Sequence, residues 1–298
     1  MSFSAAQTDP RPQSAPQTAP SHPRKSALFA RFPLDHRITV ASESLTSPYH
    51  VYDGTMLCLN GTVDRDVAAE LLAREGLSPL VDTKGRALAA VWVCDFAKAN
   101  LGAHHELQIS LFAGNRDAPP LPAHPFSFFR ALANRPDLKM VCHGLWNDIR
   151  RVVRYNTEHL RLDAAMTRCE VRLGRGRGAF RFLDEDGALI AEGAVGAGRG
   201  TPAGQGWRIV GQMGLGGLLR VMQTPAINIP VVNTRRREAR NHVCQTYTTC
   251  ERAHVRLVET DDVVAIRHQT YEPLHFKPAF VLQFDGVGFI FLRPKPLA

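Results

Sequence analysis

The residues best suited to acid–base chemistry are His104 and Glu106, in the stretch HHELQISLF. The stretch is typical of a β-strand, and side chains alternate along a strand, so His104 and Glu106 should project to one face and His105 to the other. Inside a cavity, Glu106 could serve as a general acid or base with a raised pKa, hydrogen-bonded to His104. The alternative is a partly exposed polar strand face, and the sequence leaves both open.

A metal site is not expected from these residues. His104 and Glu106 lack an identifiable third ligand among the twelve histidines. The six cysteines form no C-x-x-C pair and lie in apolar stretches, which indicates reduced, buried thiols. We therefore predict that the protein uses no metal.

The second candidate segment is NDIRRVVRYNTEHLRLD, residues 147–163. Its spacing predicts a helix capped by Asp148, with Asn156 on the apolar face, where a neutral amide could bind a carbonyl oxygen that becomes an enolate. Arg154 could hold a substrate carboxylate in a bidentate grip. An exposed ion pair between Arg154 and Glu158 is the competing interpretation.

Composition narrows the class of protein. The chain has 298 residues, 44% hydrophobic and 21% charged, which is typical of a globular protein with a substantial core. It has no apolar run of about 18 residues and no secretory signal, so we expect a cytoplasmic protein that does not contact membranes.

The net charge of +8 comes with two arginine-rich stretches, RLGRGRGAFRF and TRRREAR. Only Phe180 and Phe182 accompany them as possible stacking groups, so solvated loops are favoured over nucleic-acid binding.

The order of predicted elements indicates an α+β fold that is mostly β, with a large antiparallel or barrel-like sheet and a few helices. Residues 1–45 are rich in Pro, Ser and Ala and are predicted to be a disordered tail. MLCLNGTV reads as a strand buried on both faces, and the helix after it begins at a cap, Asp64. Residues 46–298 then form one domain.

Four stretches carry a resemblance to the acetoacetate decarboxylase superfamily: SPYHVYDGTMLCLNGTVDRDVAAELLA, LGAHHELQISLFAGN, LWNDIRRVVRYN and LHFKPAFVLQFDGVGF. The resemblance implies a curved, barrel-like sheet, a small carbonyl or keto-acid substrate, no cofactor and a homo-oligomer. It places the family's strand glutamate on Glu106, with His104 in place of a tyrosine. It also assigns Trp146, Tyr155 and Leu162 to the substrate pocket, beside Arg154.

The chain departs from the family pattern at its nucleophile. The family's second glutamate falls on Asn156, and its two lysines fall on Leu162 and Asp163. Decarboxylation through an imine needs a neutral amine, which neither residue supplies. Lys139 and Lys277 are the possible substitutes, although a surface lysine is the more ordinary interpretation of each.

These observations predict a decarboxylase-like lyase that works by acid–base enolate chemistry without a Schiff base. Glu106 would exchange the proton with the substrate, His104 would adjust the pKa of Glu106, and Asn156 would stabilise the oxyanion. The alternative is a catalytically inactive member of the family that binds a small ligand or a partner.

Overall fold

The structure is a computed structural model. It describes residues 23–73, 75–115, 117–125, 127, 131, 137–174, 177–197, 230–233 and 242–296. The helices within these residues are α1 (Pro23–Arg31), α2 (Arg65–Ala73) and α3 (Arg150–Arg154), followed by a π-helical turn (Tyr155–His159) and later a 3-10 turn (Glu272–Leu274). The strands are β1 (His36–Val40), β2 (Glu43–Ser47), β3 (Tyr49–Val63), β4 (Ser78–Pro79), β5 (Ala87–Ala99), β6 (His104–Gly114), β7 (Lys139–Asn147), β8 (Ala164–Met166), β9 (Arg168–Gly174), β10 (Arg177–Leu183), β11 (Leu189–Val195), β12 (Pro230–Asn233), β13 (His242–Thr249), β14 (Arg252–Leu257), β15 (Val263–Ile266), β16 (Lys277–Asp285), β17 (Gly288–Phe291) and β18 (Lys295–Pro296).

The large sheet is built around three long strands. β5 lies between β3 and β6 and pairs antiparallel with both. Apart from β5, neighbouring strands follow the order β14, β16, β3, β17, β13, β12, β7, β6 and β4. In addition, β8 pairs with β7 and β18 pairs with β13. The predicted α+β, mostly β architecture is therefore confirmed.

Two details of the predicted sheet need correction. The sheet is mixed, because β7 runs parallel to both β12 and β8. A closed barrel has no edge strands. Strand pairing runs in a ring from β3 through β5, β6, β7, β12, β13 and β17, but β14 and β4 remain as edge strands within the described residues, so the description as a barrel without edges is not supported.

Both faces of the central strands are buried, because each faces a separate apolar cluster. On β3, Met56 and Cys58 belong to one cluster and Leu57 and Leu59 to the other, which confirms the predicted strand buried on both faces. We call these clusters the inner cluster, which contains Cys58, and the outer cluster, which contains Leu57. Glu106 lies on the β6 face that turns toward the inner cluster, because Leu107 belongs to the outer one.

A smaller antiparallel sheet, ordered β15, β11, β10 and β9, covers the outer cluster. Phe180 and Phe182 of β10 are buried there, so they are not available to stack on nucleic-acid bases. The stretch TRRREAR lies outside the described residues.

The prediction of a disordered tail to residue 45 is wrong for residues 23–45. This segment forms α1 and the antiparallel β1–β2 hairpin. Lys25 is buried and its Nζ binds Asp53 at 2.9 Å and Glu251 at 3.1 Å. The segment is ordered through these long-range ion pairs and through the buried Leu28.

The two predicted helix caps have different outcomes. Asp64 is a cap, because its Oδ1 accepts hydrogen bonds from the N–H groups of Asp66 and Val67 at the start of α2. Asp148 is not, because α3 begins at Arg150 after the extended Ile149.

Candidate active site

Glu106 is held by neighbouring strands and by the helix that follows β7. It pairs with Cys94 of β5 and with Asn147, the last residue of β7. Asn147 Nδ2 donates a hydrogen bond to Glu106 Oε2 at 3.0 Å. Asn156 Nδ2 in turn donates to Asn147 Oδ1 at 2.9 Å. Two buried amides thus fix one oxygen of the carboxylate, and the described residues offer no partner to the other.

The environment of Glu106 changes its proton affinity. Burial raises the pKa of Glu106 from 4.5 to about 7, although the hydrogen bond from Asn147 opposes this. Protein atoms surround the side chain, yet it keeps some accessible surface. A carboxyl group with a pKa near neutrality can both take and return a proton.

His104 is fully engaged beside Glu106. Its Nδ1 lies 2.9 Å from the carbonyl oxygen of Gly102, and its Nε2 lies 2.7 Å from the hydroxyl of Tyr49. Since the carbonyl can only accept, we assign the proton to Nδ1, and Nε2 then accepts from Tyr49. Burial lowers the pKa of His104 to about 4, which agrees with a neutral ring. The expected hydrogen bond from His104 to Glu106 is not formed, because both ring nitrogens are used elsewhere.

Tyr49 and Cys94 complete the surroundings of the carboxylate. Burial raises the pKa of both side chains, and the charge of Glu106 raises each further. The ring of Tyr49 also lies 6.0 Å, centroid to centroid, from the ring of Tyr155. Tyr49 was not among the predicted site residues, although it is the tyrosine of the stretch SPYH that carries part of the family resemblance.

The turn after α3 brings two consecutive side chains into the interior. Leu160 N–H donates to the carbonyl of Tyr155, five residues earlier, so the backbone winds as a π-helix. Tyr155 and Asn156 are both buried, and Leu162 is buried in the inner cluster. Leu162 N–H donates to the Asn156 carbonyl at 2.8 Å. This hydrogen bond joins the π-helical turn to residues 162 and 163, the positions to which the resemblance assigns the family's lysines.

Two predicted substrate-binding residues lie elsewhere. Trp146 packs in the outer cluster against Tyr271 and His268, because it precedes the inward-facing Asn147 and must therefore face the other side of β7. Arg154 is exposed on α3. The predicted ion pair of Arg154 with Glu158 is not observed either, because a Glu158 carboxylate oxygen accepts from the N–H of Ala41.

Polar side chains continue along the same face of β6 beyond Glu106. Gln108 pairs with Trp92 of β5, and Gln108 Nε2 donates to Ser110 Oγ at 2.6 Å. Trp92 is almost completely buried, and its Nε1 has no hydrogen-bond partner within the described part of the chain. The strand register therefore places a residue with an unpaired buried N–H donor on the same sheet face as a carboxyl group of raised pKa.

No lysine reaches this site, and all six lysines of the chain are among the described residues. Lys25 is bound to two carboxylates, and Lys139 lines a surface pocket with Gly76 and Asn115. Lys139 pairs with Ala113, seven residues from Glu106 and therefore roughly 23 Å away along β6. The remaining four are exposed: Lys84, Lys98, Lys277 and Lys295.

Comparison with known proteins rests on the fold, because no family model and no curated protein sequence matches this chain. Acetoacetate decarboxylase from Legionella pneumophila is similar over 96% of this chain and 98% of its own, with a TM-score of 0.56 at 11% identity. The chain has the acetoacetate decarboxylase fold.

A second acetoacetate decarboxylase structure covers 84% of this chain and 89% of its own, with a TM-score of 0.52 at 8% identity. The enduracididine biosynthesis enzyme MppR, complexed with pyruvate, covers 85% of this chain and 91% of its own, with a TM-score of 0.52 at 12% identity. The predicted resemblance is therefore confirmed as a shared fold. Among the described residues, no helix is long and apolar enough to cross a bilayer.

Proposed function

We propose that this protein is a lyase-type enzyme that acts on a small carbonyl or keto-acid compound through acid–base enolate chemistry, without a Schiff-base lysine. The observation that carries the proposal is Glu106, a largely buried carboxyl group whose pKa is raised to about 7 and whose second oxygen has no partner among the described residues of a chain with the acetoacetate decarboxylase fold. Such a group is half ionised near neutral pH and is suited to remove a proton from a carbon next to a carbonyl.

In the proposed step, Glu106 takes the proton from the α-carbon as the C–H bond breaks. The electron pair of that bond moves to the carbonyl oxygen, which becomes an enolate oxygen. The Asn147 amide holds Glu106 Oε2 throughout, so Oε1 is the oxygen that receives the proton. Loss of a hydroxyl group from the β-carbon, with Glu106 returning the proton to it, would complete a dehydration. In an aldol cleavage Glu106 would instead take the proton of the β-hydroxyl, the bond between the α- and β-carbons would break to form the enolate, and the proton would return to the α-carbon.

The enolate oxygen needs a hydrogen-bond donor that is already in place. Trp92 Nε1 is the best candidate, because it is buried, has no partner within the described residues and belongs to a residue two positions along β5 from Cys94, the partner of Glu106, and therefore on the same face. Asn156 was the predicted donor. Its amide instead supports Asn147, so we assign it the role of a positioning residue.

The absence of an amine near Glu106 separates this proposal from imine chemistry. Leu162 and Asp163 occupy the positions that the family resemblance gives to lysines, and Leu162 is buried and apolar. An imine mechanism would need one of the six lysines to leave an ion pair or the protein surface. The proposed chemistry needs none of them.

The test is deuterium incorporation from D₂O into keto acids such as pyruvate and acetoacetate, followed by proton NMR. We expect the wild type to accelerate exchange at the α-carbon of at least one compound, and Glu106→Gln to abolish the acceleration. Glu70→Gln, which changes an exposed glutamate on α2, is the matched control and should exchange like the wild type. A compound that raises the melting temperature without any exchange would favour the inactive binding protein instead.

A further inference from the structure

A second cluster of reactive side chains lies on the other face of the strand from Glu106. It consists of His105 on β6, Asp148 after β7 and Cys169 on β9. His105 Nδ1 lies 2.7 Å from Asp148 Oδ2, and Cys169 Sγ lies 3.8 Å from the same oxygen. The three ligand atoms are all within 4.8 Å of one another.

This spacing is close to that of a tetrahedral metal site. Bonds of about 2.0 Å to nitrogen and oxygen and about 2.3 Å to sulfur place neighbouring ligand atoms about 3.3–3.7 Å apart. The observed atoms therefore need movements of about 1 Å or less to surround an ion. A nitrogen, a carboxylate oxygen and a thiol sulfur form a mixed donor set of the kind that zinc accepts.

The other nitrogen of His105 supports the same interpretation. His105 Nε2 lies 3.5 Å from Asp95 Oδ1. A carboxylate behind a metal-binding histidine favours the tautomer that carries its proton on the far nitrogen, which leaves the near nitrogen free to bind the ion. The contact is longer than a good hydrogen bond, so Asp95 Oδ1 would have to approach Nε2 by about 0.5 Å to have this effect, with Nε2 then protonated and Nδ1 directed at the metal.

We propose that His105, Asp148 and Cys169 bind one zinc-like divalent transition-metal ion, with Asp95 orienting the histidine. The three side chains come from separate segments of the chain, so the ion would tie β9 of the small sheet to the ends of β6 and β7. Three protein ligands leave a fourth position for water. Binding requires the thiol to lose its proton, and this proton is released to the solvent.

The competing explanation is a purely structural pair of His105 with Asp148, in which Cys169 is a bystander. The backbone N–H of His105 also donates to Asp148 Oδ1 at 2.8 Å, so the pair holds the strand ends together without a metal. The two explanations differ in one observable, which is whether the sulfur of Cys169 bonds to an added ion.

Cobalt(II) titration of the purified full-length protein provides the test, because Co²⁺ replaces Zn²⁺ and its bond to a thiolate gives a charge-transfer band in the near ultraviolet. We expect a band that saturates at one equivalent, together with the visible bands of tetrahedral cobalt and a released proton. Added Zn²⁺ should abolish these bands. No saturable near-ultraviolet band in the wild type overturns the proposal.

Variants decide which residues are ligands. Cys169→Ser and His105→Gln should each lose the near-ultraviolet band, whereas Cys250→Ser, which changes a second partly buried cysteine, should keep it. Asp95→Asn should weaken zinc affinity by about 10–100-fold. A band that survives in Cys169→Ser, or that Cys250→Ser removes, contradicts the assignment. The titration needs no substrate, so its failure leaves the proposed function untouched.

Discussion

Replacing Glu106 with glutamine should make the protein more stable at neutral and alkaline pH. The carboxylate is surrounded by protein, so ionising it in the folded state has a cost that the unfolded chain does not incur. Glutamine has the same shape and keeps an oxygen that can accept the hydrogen bond from Asn147, but it carries no charge. The substitution therefore removes the cost of the buried charge and little else.

The size of the effect follows from the two pKa values of Glu106. The pKa rises from 4.5 to about 7 on folding, and a tenfold change in proton affinity is worth about 1.4 kcal/mol. The folded state of the wild type therefore loses up to about 3 kcal/mol relative to the variant as the pH rises. Below pH 4.5 the carboxyl is protonated in both states, so the variant and the wild type should have nearly equal stability. The difference should grow between pH 4.5 and 7 and stay constant above.

Urea denaturation of both proteins at intervals from pH 4 to pH 9 measures this difference. Glu70→Gln, at an exposed position on α2, is the control and should stay within about 0.5 kcal/mol of the wild type at every pH. A Glu106→Gln variant that is less stable than the wild type at pH 8 would refute the reasoning. So would a difference that does not change with pH.

Two further substitutions test the surroundings of the site. Tyr49→Phe removes the hydroxyl that donates to His104 Nε2, so a buried acceptor loses its partner and the free energy of unfolding should fall by about 1–3 kcal/mol in urea. Unchanged stability would contradict the hydrogen bond between Tyr49 and His104. Gly61→Ala directs a Cβ into the backbone carbonyl of Lys277, so it should cost at least about 1–3 kcal/mol in thermal and urea denaturation. Gly174→Ala, where a Cβ meets nothing within 4 Å, is its control, and equal losses from both would show that the collision is unimportant.

Local patterns predicted the framework of the fold. The alternation in MLCLNGTV correctly predicted a strand with two buried faces, and the sequence after it correctly predicted Asp64 as a helix cap. The helices and strands of residues 23–45 were missed, because the order of that segment depends on Lys25 meeting Asp53 and Glu251. Composition cannot reveal ion pairs between residues that are distant in the chain.

The arrangement of side chains around Glu106 was only partly predictable. The H-x-E spacing correctly placed His104 and Glu106 on one face, but it could not show that Tyr49 takes the histidine nitrogen. The orientation of Trp146 was predictable from strand alternation. Its neighbour Asn147 faces the inner cluster, so Trp146 must face the outer cluster. The π-helical turn that buries both Tyr155 and Asn156 breaks the regular helical period, so a helical pattern could not predict it.

The central claim is that the site works with Glu106 and without any amine. Reductive dimethylation of the five lysines other than the buried Lys25 tests it most directly, since a dimethylated lysine keeps its charge but cannot form an imine, and Lys25 is already held by two carboxylates. The measurement is the rate of deuterium exchange into the keto acid that the wild type turns over, before and after methylation. We predict an unchanged rate that still disappears in Glu106→Gln. Exchange that is lost on methylation while the protein stays folded would contradict the account.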